Sequence, residues 1–539
     1  MIQRGADMGT LYPARVHPRR PKAESLLASA AAVVGAIGVV SALTPAMANR
    51  SDFVRGVLPP GIPTAARIGA LAFGIALVWL SRSLARRRRR AWLLAIAIVI
   101  ASAAAHLAKG LDVEEAVISL ALLAALVRFR ARFSVPGDPA TVGPLAAVGI
   151  AVLAVIAFAV GIELRGGEIP ARVADVFDAL GFLALFYALF LWLRPLSHAV
   201  AQTVGERRLA RELVEAYGRD SLSFFALRRD KSLFFSPTER AFLAYRVVAG
   251  AALMSGDPVG DEAEFDALLS EFGRVAHARG WRLAVLGASQ RMLPHYERVG
   301  LRAIAIGDEA VLVPSAFSLE GRAIRKVRQS VSRLRKGGYR FRVVSAIDAD
   351  DDLRGQLAAV SCVWRGAQAE RGFSMAMDDL FAEGTTFALA EDADGRTGGF
   401  LHLVPAPAGR GWSLSTMRRR PDTPNGLMEF LVAETLQWAK DEGASEVSLN
   451  FCALREFLSP ERATTLGRRA FRRALLAADN VFQVERLHAF SRKFQPQWRP
   501  RYLCLERLSD LPLVGIAYLH IEQLLVPPRP WARRERVSH

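Results

Sequence analysis

Three consecutive arginines, Arg418, Arg419 and Arg420, stand directly before a Pro-Asp-Thr-Pro-Asn-Gly turn, and the turn runs into "LMEFLVAETL". Pro421, Pro424 and Gly426 break the chain there, while Leu427, Phe430, Leu431 and Leu436 fall at helical spacing, so the pattern predicts a helix that begins at the turn. The first amide groups of a helix lack intrahelical acceptors and carry partial positive charge. Guanidinium groups beside them would make an anion-holding corner, suited to a phosphate or to a developing oxyanion. The purely structural use of the same residues is Asp422 or Asn425 as helix cap, with the arginines paired to acids.

A second cationic block lies upstream. Nine Lys or Arg residues and no acid occupy the stretch from Arg322 to Arg342, among them Arg325, Lys326, Arg328, Arg333, Arg335 and Lys336. Ile324, Val327, Val331 and Leu334 recur at helical intervals, which predicts a helix that buries this stripe and turns its cations outward. The resulting ridge suits RNA phosphates or anionic lipid headgroups, with salt-dependent binding in either case. The whole chain shares this bias, with a formal charge of +18 and a pI near 10.6. Such a surplus favours anionic partners without choosing among them.

Other chemistries lack their motifs. No Gly-Lys dipeptide occurs, hence no ATP-binding P-loop, and the single G-x-G at Gly409 to Gly411 lacks the third glycine of a dinucleotide loop. Neither H-E-x-x-H nor G-x-S-x-G is present. The three cysteines, Cys362, Cys452 and Cys504, are far apart, which argues against a disulfide framework or a zinc ribbon. The nine histidines are scattered. No metal and no cofactor are expected.

The elements that must position these residues divide the chain of 539 residues in two. Residues 1–200 hold six apolar runs, near 25–47, 64–84, 91–108, 113–127, 142–162 and 174–193, each read as a transmembrane helix. Cations cluster in the amino-terminal tail (Arg15, Arg19, Arg20, Lys22), in the five arginines Arg86 to Arg90, and at Arg128, Arg130 and Arg132. Under the positive-inside rule this places the amino terminus and everything after about 195 in the cytoplasm. The remainder alternates strand and helix patterns and reads as two mixed α/β units, 206–318 and 319–525, in preference to one large sheet, followed by a basic tail over 526–539.

Several blocks together resemble the catalytic domain of the bacterial aminoacyl-phosphatidylglycerol synthases, the phosphatidylglycerol lysyltransferase or multiple peptide resistance factor family. They are "VWRGAQAERGFSMAM", "MRRRPDTPNGLMEFLVAETLQWAKDEGASEVSLNF", "SRKFQPQWRPRYL" and the upstream "LMSGDPVG" and "GRAIRKVRQSVSRLRKGGYRF", so the likeness covers roughly 210–510. The resemblance implies two tandem N-acetyltransferase-like (GNAT) units on a multi-span helical membrane domain. It also implies transfer of an amino acid from aminoacyl-tRNA to a glycerol hydroxyl of phosphatidylglycerol, an exchange of ester for ester that needs no ATP loop. "RPDTPNG" stands where an acetyltransferase carries its pyrophosphate loop, so acetyl-CoA is disfavoured.

Mapped onto this chain, the resemblance puts Arg418, Lys493 and Glu370 at the reaction centre. Glu370 would hold the donor's α-ammonium group, and Arg418 and Lys493 would bind phosphate and the tetrahedral oxyanion. Around them it places Phe373, Ser374, Ser415, Arg419, Arg420, Asp422, Asn425, Glu429, Asn450, Arg499 and Tyr502 as substrate contacts, with the basic ridge on tRNA or lipid phosphate. Ser415 departs from the pattern of lysine-transferring members, which often carry aspartate there, so alanine, another amino acid or a different lipid acceptor is open. Six spans are fewer than in the best-known members, and the donor is expected to come from the cell's own pool of charged tRNA.

Overall fold

The computed structural model describes residues 23–44, 62–110, 112–164, 171–194, 198, 200–366, 372–451 and 484–522. The amino-terminal tail, Glu370, Cys452, the segment 453–483 and the tail after 522 lie outside the described residues. The chain divides into two compact units, residues 15–197 with 275–281, and residues 1–14 with 198–274 and 282–539.

The first unit is helical. Its helices are α1 (Ala23–Leu43), α2 (Ile62–Leu84), α3 (Arg89–Gly110), α4 (Val113–Arg128), α5 (Val142–Leu164) and α6 (Ala171–Trp192), one for each apolar run. Three stretches, Ala23–Leu43, Ala66–Leu84 and Arg89–Ala108, are long and apolar enough to cross a membrane. Small residues let α1 and α2 approach closely: a Cβ on Gly35 would lie 2.6 Å from the Gly74 carbonyl oxygen. The run of five arginines has a structural use within this unit, because Arg88 donates to the Leu193 carbonyl at 2.6 Å and Arg87 to that of Arg132 at 2.8 Å. Arg90 donates to the Thr141 hydroxyl at 2.7 Å and lies over the Trp192 ring.

The second unit is built on one sheet. Its elements are α7 (Val204–Tyr217), β1 (Ser232–Phe235), β2 (Ala241–Val248), β3 (Ala251–Ser255), β4 (Val259–Gly260), α8 (Phe265–Ala278), β5 (Arg282–Ser289), α9 (Leu293–Arg298), β6 (Arg302–Leu312), α10 (Arg325–Lys336), β7 (Arg340–Ser345), α11 (Asp351–Arg365), β8 (Thr386–Glu391), β9 (Thr397–Ala406), β10 (Gly411–Arg419), α12 (Leu427–Asp441), β11 (Glu446–Phe451), α13 (Val484–Ser491), β12 (Gln497–Leu505) and α14 (Leu511–Ile521). The strands pair in the order β1-β2-β3-β5-β12-β6-β11-β10-β9-β8-β7, with β4 on β2.

What the sequence presents as two α/β units is therefore one twelve-stranded sheet. The strand β12 enters between β5 and β6, with Arg501 opposite both Ser289 and Gly307, and β11 runs antiparallel to β6. Both pairings join residues far apart along the chain, and local periodicity carries no information about them. The helix α14 follows β12 into the same half, where Val514, Ala517 and Ile521 pack with Phe242, Leu253 and Leu505. A second core joins α10 and α12 to the other half through Val327, Val331, Leu334, Phe430 and Leu431, and a third packs α11 over β8 and β9 through Leu357, Val360, Phe387 and Phe400.

Candidate active site

The strand β10 contains a register shift between Leu414 and Thr416, a bulge that re-aims the residues after it. Met417 packs into the α10–α12 core. Its neighbour Arg418 must point to the opposite face, because successive strand residues alternate. There Arg418 is buried, donates to the Ser361 hydroxyl of α11 and lies 5.8 Å from the centre of the Trp364 ring. The buried imidazole of His402 stacks on Phe387, and burial together with the Arg418 charge lowers its pKa to about 3, so it is neutral.

The turn 372–377 is held by side chains from distant segments. Arg228 donates to the carbonyls of Gly372 (3.1 Å) and Ala376, while the Glu522 carboxylate accepts from the amides of Gly372 (2.7 Å) and Phe373 (3.0 Å). The Asn450 amide donates to the carbonyls of Met375 (2.7 Å) and Leu414 (3.0 Å), and Ser415 Oγ accepts from the Met377 amide at 3.0 Å. Asn450 takes a left-handed φ of 69°, a conformation asparagine tolerates better than most residues. The structure thus gathers Phe373, Ser374, Ser415 and Asn450, with Arg418 three residues along the same strand.

The remaining expected site residues stand elsewhere. Lys493 pairs with Glu429 of α12 at 2.6 Å, beside Phe490 and Phe494 of the α10–α12 core, and so lies on the face opposite Arg418. Arg499 pairs with Glu446 at 2.6 Å, and Tyr502 lies on β12 where its pairing with β6 shifts register after Arg501. The three adjacent arginines diverge: Arg419 donates to the Pro424 carbonyl at 3.4 Å, and Arg420 binds Asp422 at 3.1 Å and approaches Asp392. Neither Asp422 nor Asn425 caps α12. Its N-cap is Gly426 at φ 93°, and the Asn425 carbonyl accepts from Arg333. On α10 the stripe Val327, Val331 and Leu334 is buried, and Arg325, Lys326, Arg328, Arg333, Arg335 and Lys336 are exposed. Arg335 pairs with Glu434 at 2.7 Å.

Two buried cations were not legible as such. Arg501 of β12 donates to Glu309 (2.6 and 2.9 Å), Asp220 (2.9 Å) and Ser221 (2.9 Å), and Ser221 and Ser448 both donate to Glu309. Burial works against the Arg501 charge, yet Asp220 and Glu309 more than offset it and hold its pKa above the usual arginine value. Nearby Asp257 accepts from Tyr296 at 2.8 Å, and burial and the Asp220 charge raise its pKa to about 6. Lys231, at the turn into β1, is fully buried. Its amine donates to the Phe225 carbonyl and to Ser255 Oγ, both at 2.6 Å, and lies 4.8 Å from the centre of the Phe373 ring. In sequence it reads as one charge of the solvated turn "RRDKS"; only its placement one residue before an apolar strand hints otherwise.

Comparison with known proteins bears on these residues. The family model described as "Phosphatidylglycerol lysyltransferase, C-terminal" matches residues 211–505, which include Arg501, Lys231, Arg418 and Lys493. The lysylphosphatidylglycerol biosynthesis bifunctional protein LysX of Mycobacterium marinum is 38% identical over 370 residues, covering 67% of this chain and 33% of the relative. Its namesake from Mycobacterium sp. strain KMS is 33% identical over 531 residues, covering 87% of this chain and 48% of the relative. The chain thus spans half or less of the curated relatives it matches. Among solved structures, that of L-PGS from Bacillus licheniformis superposes with a TM-score of 0.54 at 23% identity, over 59% of this chain and 96% of the other, a likeness of fold.

Proposed function

This chain belongs to the phosphatidylglycerol lysyltransferase C-terminal family, and from that membership we propose that it transfers an aminoacyl group from aminoacyl-tRNA to phosphatidylglycerol at the cytoplasmic face of a membrane. All six apolar helices span the bilayer in this reading, with the amino terminus and the sheet unit in the cytoplasm. The halves of the sheet act as two GNAT-like units that share β12. The observation that supports a catalytic use is the buried Arg418 guanidinium, set between Ser361 and Trp364 beside a neutral imidazole. A cation fixed in a water-poor setting stabilises a phosphate or a tetrahedral oxyanion far better than one in bulk water.

Glu370 would take the donor's α-ammonium group. Lys493 would release Glu429 to bind phosphate as substrate arrives, and the α10 ridge would receive the tRNA backbone. The neutral Ser415 side chain would sit beside the amino acid and suit a small or uncharged one as well as lysine.

The test uses the full chain in phosphatidylglycerol vesicles with radiolabelled lysyl- or alanyl-tRNA. The expected result is label in an organic-extractable aminoacyl lipid, abolished by prior RNase treatment and lowered about 10²–10³-fold in Arg418→Ala. No labelled lipid from either tRNA would overturn the reading.

A further inference from the structure

Acyl transfer to a lipid hydroxyl requires a group to take that hydroxyl's proton, and the Lys231 pocket offers an amine. Among the described residues no carboxylate lies within ion-pair distance of the Lys231 amine. Its partners are a carbonyl, a hydroxyl and an aromatic face. Ser255 Oγ in turn donates to Ser374 Oγ at 3.3 Å and lies 3.4 Å from the Phe373 carbonyl oxygen. Lys231, Ser255 and Ser374 therefore form a continuous chain of exchangeable protons from a buried amine to the turn that Asn450 and Ser415 tie to β10.

The pocket satisfies both protonation states. As an ammonium, Lys231 aims its three hydrogens at the Phe225 carbonyl, Ser255 Oγ and the Phe373 ring. As a free amine it keeps the first and last of these and offers its lone pair to the Ser255 hydroxyl, with the Ser374 hydroxyl then donating to Ser255. Burial, joined by the Arg228 charge, pushes the amine well below the usual lysine range. The charges that oppose this are Asp230 on its own turn, Asp378 after the 372–377 turn and Glu522 at the end of α14. Serine–lysine pairs of this kind serve elsewhere as activated hydroxyl systems.

We propose that Lys231, Ser255 and Ser374 form a proton relay that acts as general base for the acyl transfer. As the lipid hydroxyl oxygen bonds to the ester carbonyl carbon, its proton passes to Ser374 Oγ, the Ser374 proton to Ser255 Oγ, and the Ser255 proton to Lys231 Nζ. When the carbonyl carbon–ribose oxygen bond breaks, the proton returns along the same chain to the ribose hydroxyl. Nothing further is consumed. The relay rests on the proposed aminoacyl transfer for its substrate, but the state of the amine can be read without turnover.

The experiment compares wild type, Lys231→Met, Ser255→Ala and Ser374→Ala as full chains, each checked by its melting curve. In the vesicle assay we expect kcat/KM to fall about 10²–10⁴-fold in each variant, with loss of the limb that rises with pH in the wild type. Should Lys231→Met fail to fold, the two serine variants carry the test, since they cut the chain and keep the amine. Folded serine variants with the wild-type rate and pH profile would overturn the relay. If the wild type transfers nothing, the function fails on its own account and the relay is read by carbon-13 NMR of the lysine ε-carbons, of which the chain has seven. A Lys231 signal, identified by its absence in Lys231→Met, that loses the ammonium shift at lower pH than the other six lysines supports the relay; one that titrates together with them overturns it.

Discussion

Arg501 and Lys231 are both cations withdrawn from water in the same half of the sheet, and they are treated in opposite ways. Arg501 meets two carboxylates, Glu309 of β6 and Asp220 of the segment after α7, and so ties β12 to the strand beside it and to the start of the sheet unit. Lys231 meets a carbonyl, a hydroxyl and a ring. A guanidinium is always charged and forks onto carboxylates, so caging it gives geometry and no chemistry. An amine without a counter-ion can lose its proton, so the same burial makes it responsive. The difference separates a cation that closes a sheet from one that can serve a reaction.

The sharpest way to break this contrast is to remove the caged cation. Arg501→Met leaves Glu309 and Asp220 facing each other without compensation, and a buried pair broken on one side costs about 3–5 kcal/mol. We expect a large fall in the melting midpoint of the sheet unit. A triple variant that adds Glu309→Gln and Asp220→Asn should recover most of it. If Arg501→Met alone melted with the wild type, the cage would not be structural and the comparison would lose its first term.

How far the cage could be read from sequence follows from its parts. The halves of the sheet were legible because alternation and helical spacing are local: "SLFFS", "RLAVLGAS" and "EVSLNF" became β1, β5 and β11, and the stripe on α10 is buried where the spacing put it. Arg501 stands in "RPRYL" with nothing to mark its partners, because Asp220 and Glu309 reach it only through the insertion of β12. The corner expected from Arg418, Arg419 and Arg420 opened out for a different reason. Strand alternation sends Arg418 to the α11 face and leaves Arg333 at the start of α12. Composition located the cations; only tertiary pairing decides which are used up.

A second test sharpens the contrast by pH. Asp257, beside the cage, has a folded pKa of about 6 against an ordinary 3.8, so between pH 4 and 6 the folded state holds a proton that the unfolded chain has lost. Its contribution is present at low pH and falls as pH rises through 6, by about 1.4 kcal/mol per unit. His402, beside Arg418, has a folded pKa of about 3 against an ordinary 6.5, so over the same range the unfolded chain holds the extra proton. Its contribution is present above 6.5 and falls as pH drops, by a similar amount per unit. The two slopes have opposite signs and nearly cancel. Melting midpoints of the wild type should vary little from these groups between pH 4 and 6, Asp257→Asn should become acid-labile, and His402→Gln should lose stability as pH rises. Parallel slopes in both variants would contradict the assignment.

The smallest expected change in stability concerns a third kind of cation, the exposed ones on α10. Arg335 is itself exposed and pairs with the half-buried Glu434, and ion pairs open to solvent are worth about 0–1 kcal/mol. Lys326 and Lys336 are exposed on the same helix, so replacing both with glutamine should leave the melting midpoint within about 0.5 kcal/mol of wild type. Binding behaves differently. If the ridge receives tRNA phosphates, each lost contact lowers the slope of log affinity against log salt by about 1 and weakens binding of charged and uncharged tRNA alike. A paired, buried cation such as Arg501 cannot produce that signature, since it never exchanges a mobile counterion. An unchanged salt slope in the double variant would return the ridge to the status of a solvated helix face and move the tRNA contact to another surface of the sheet unit.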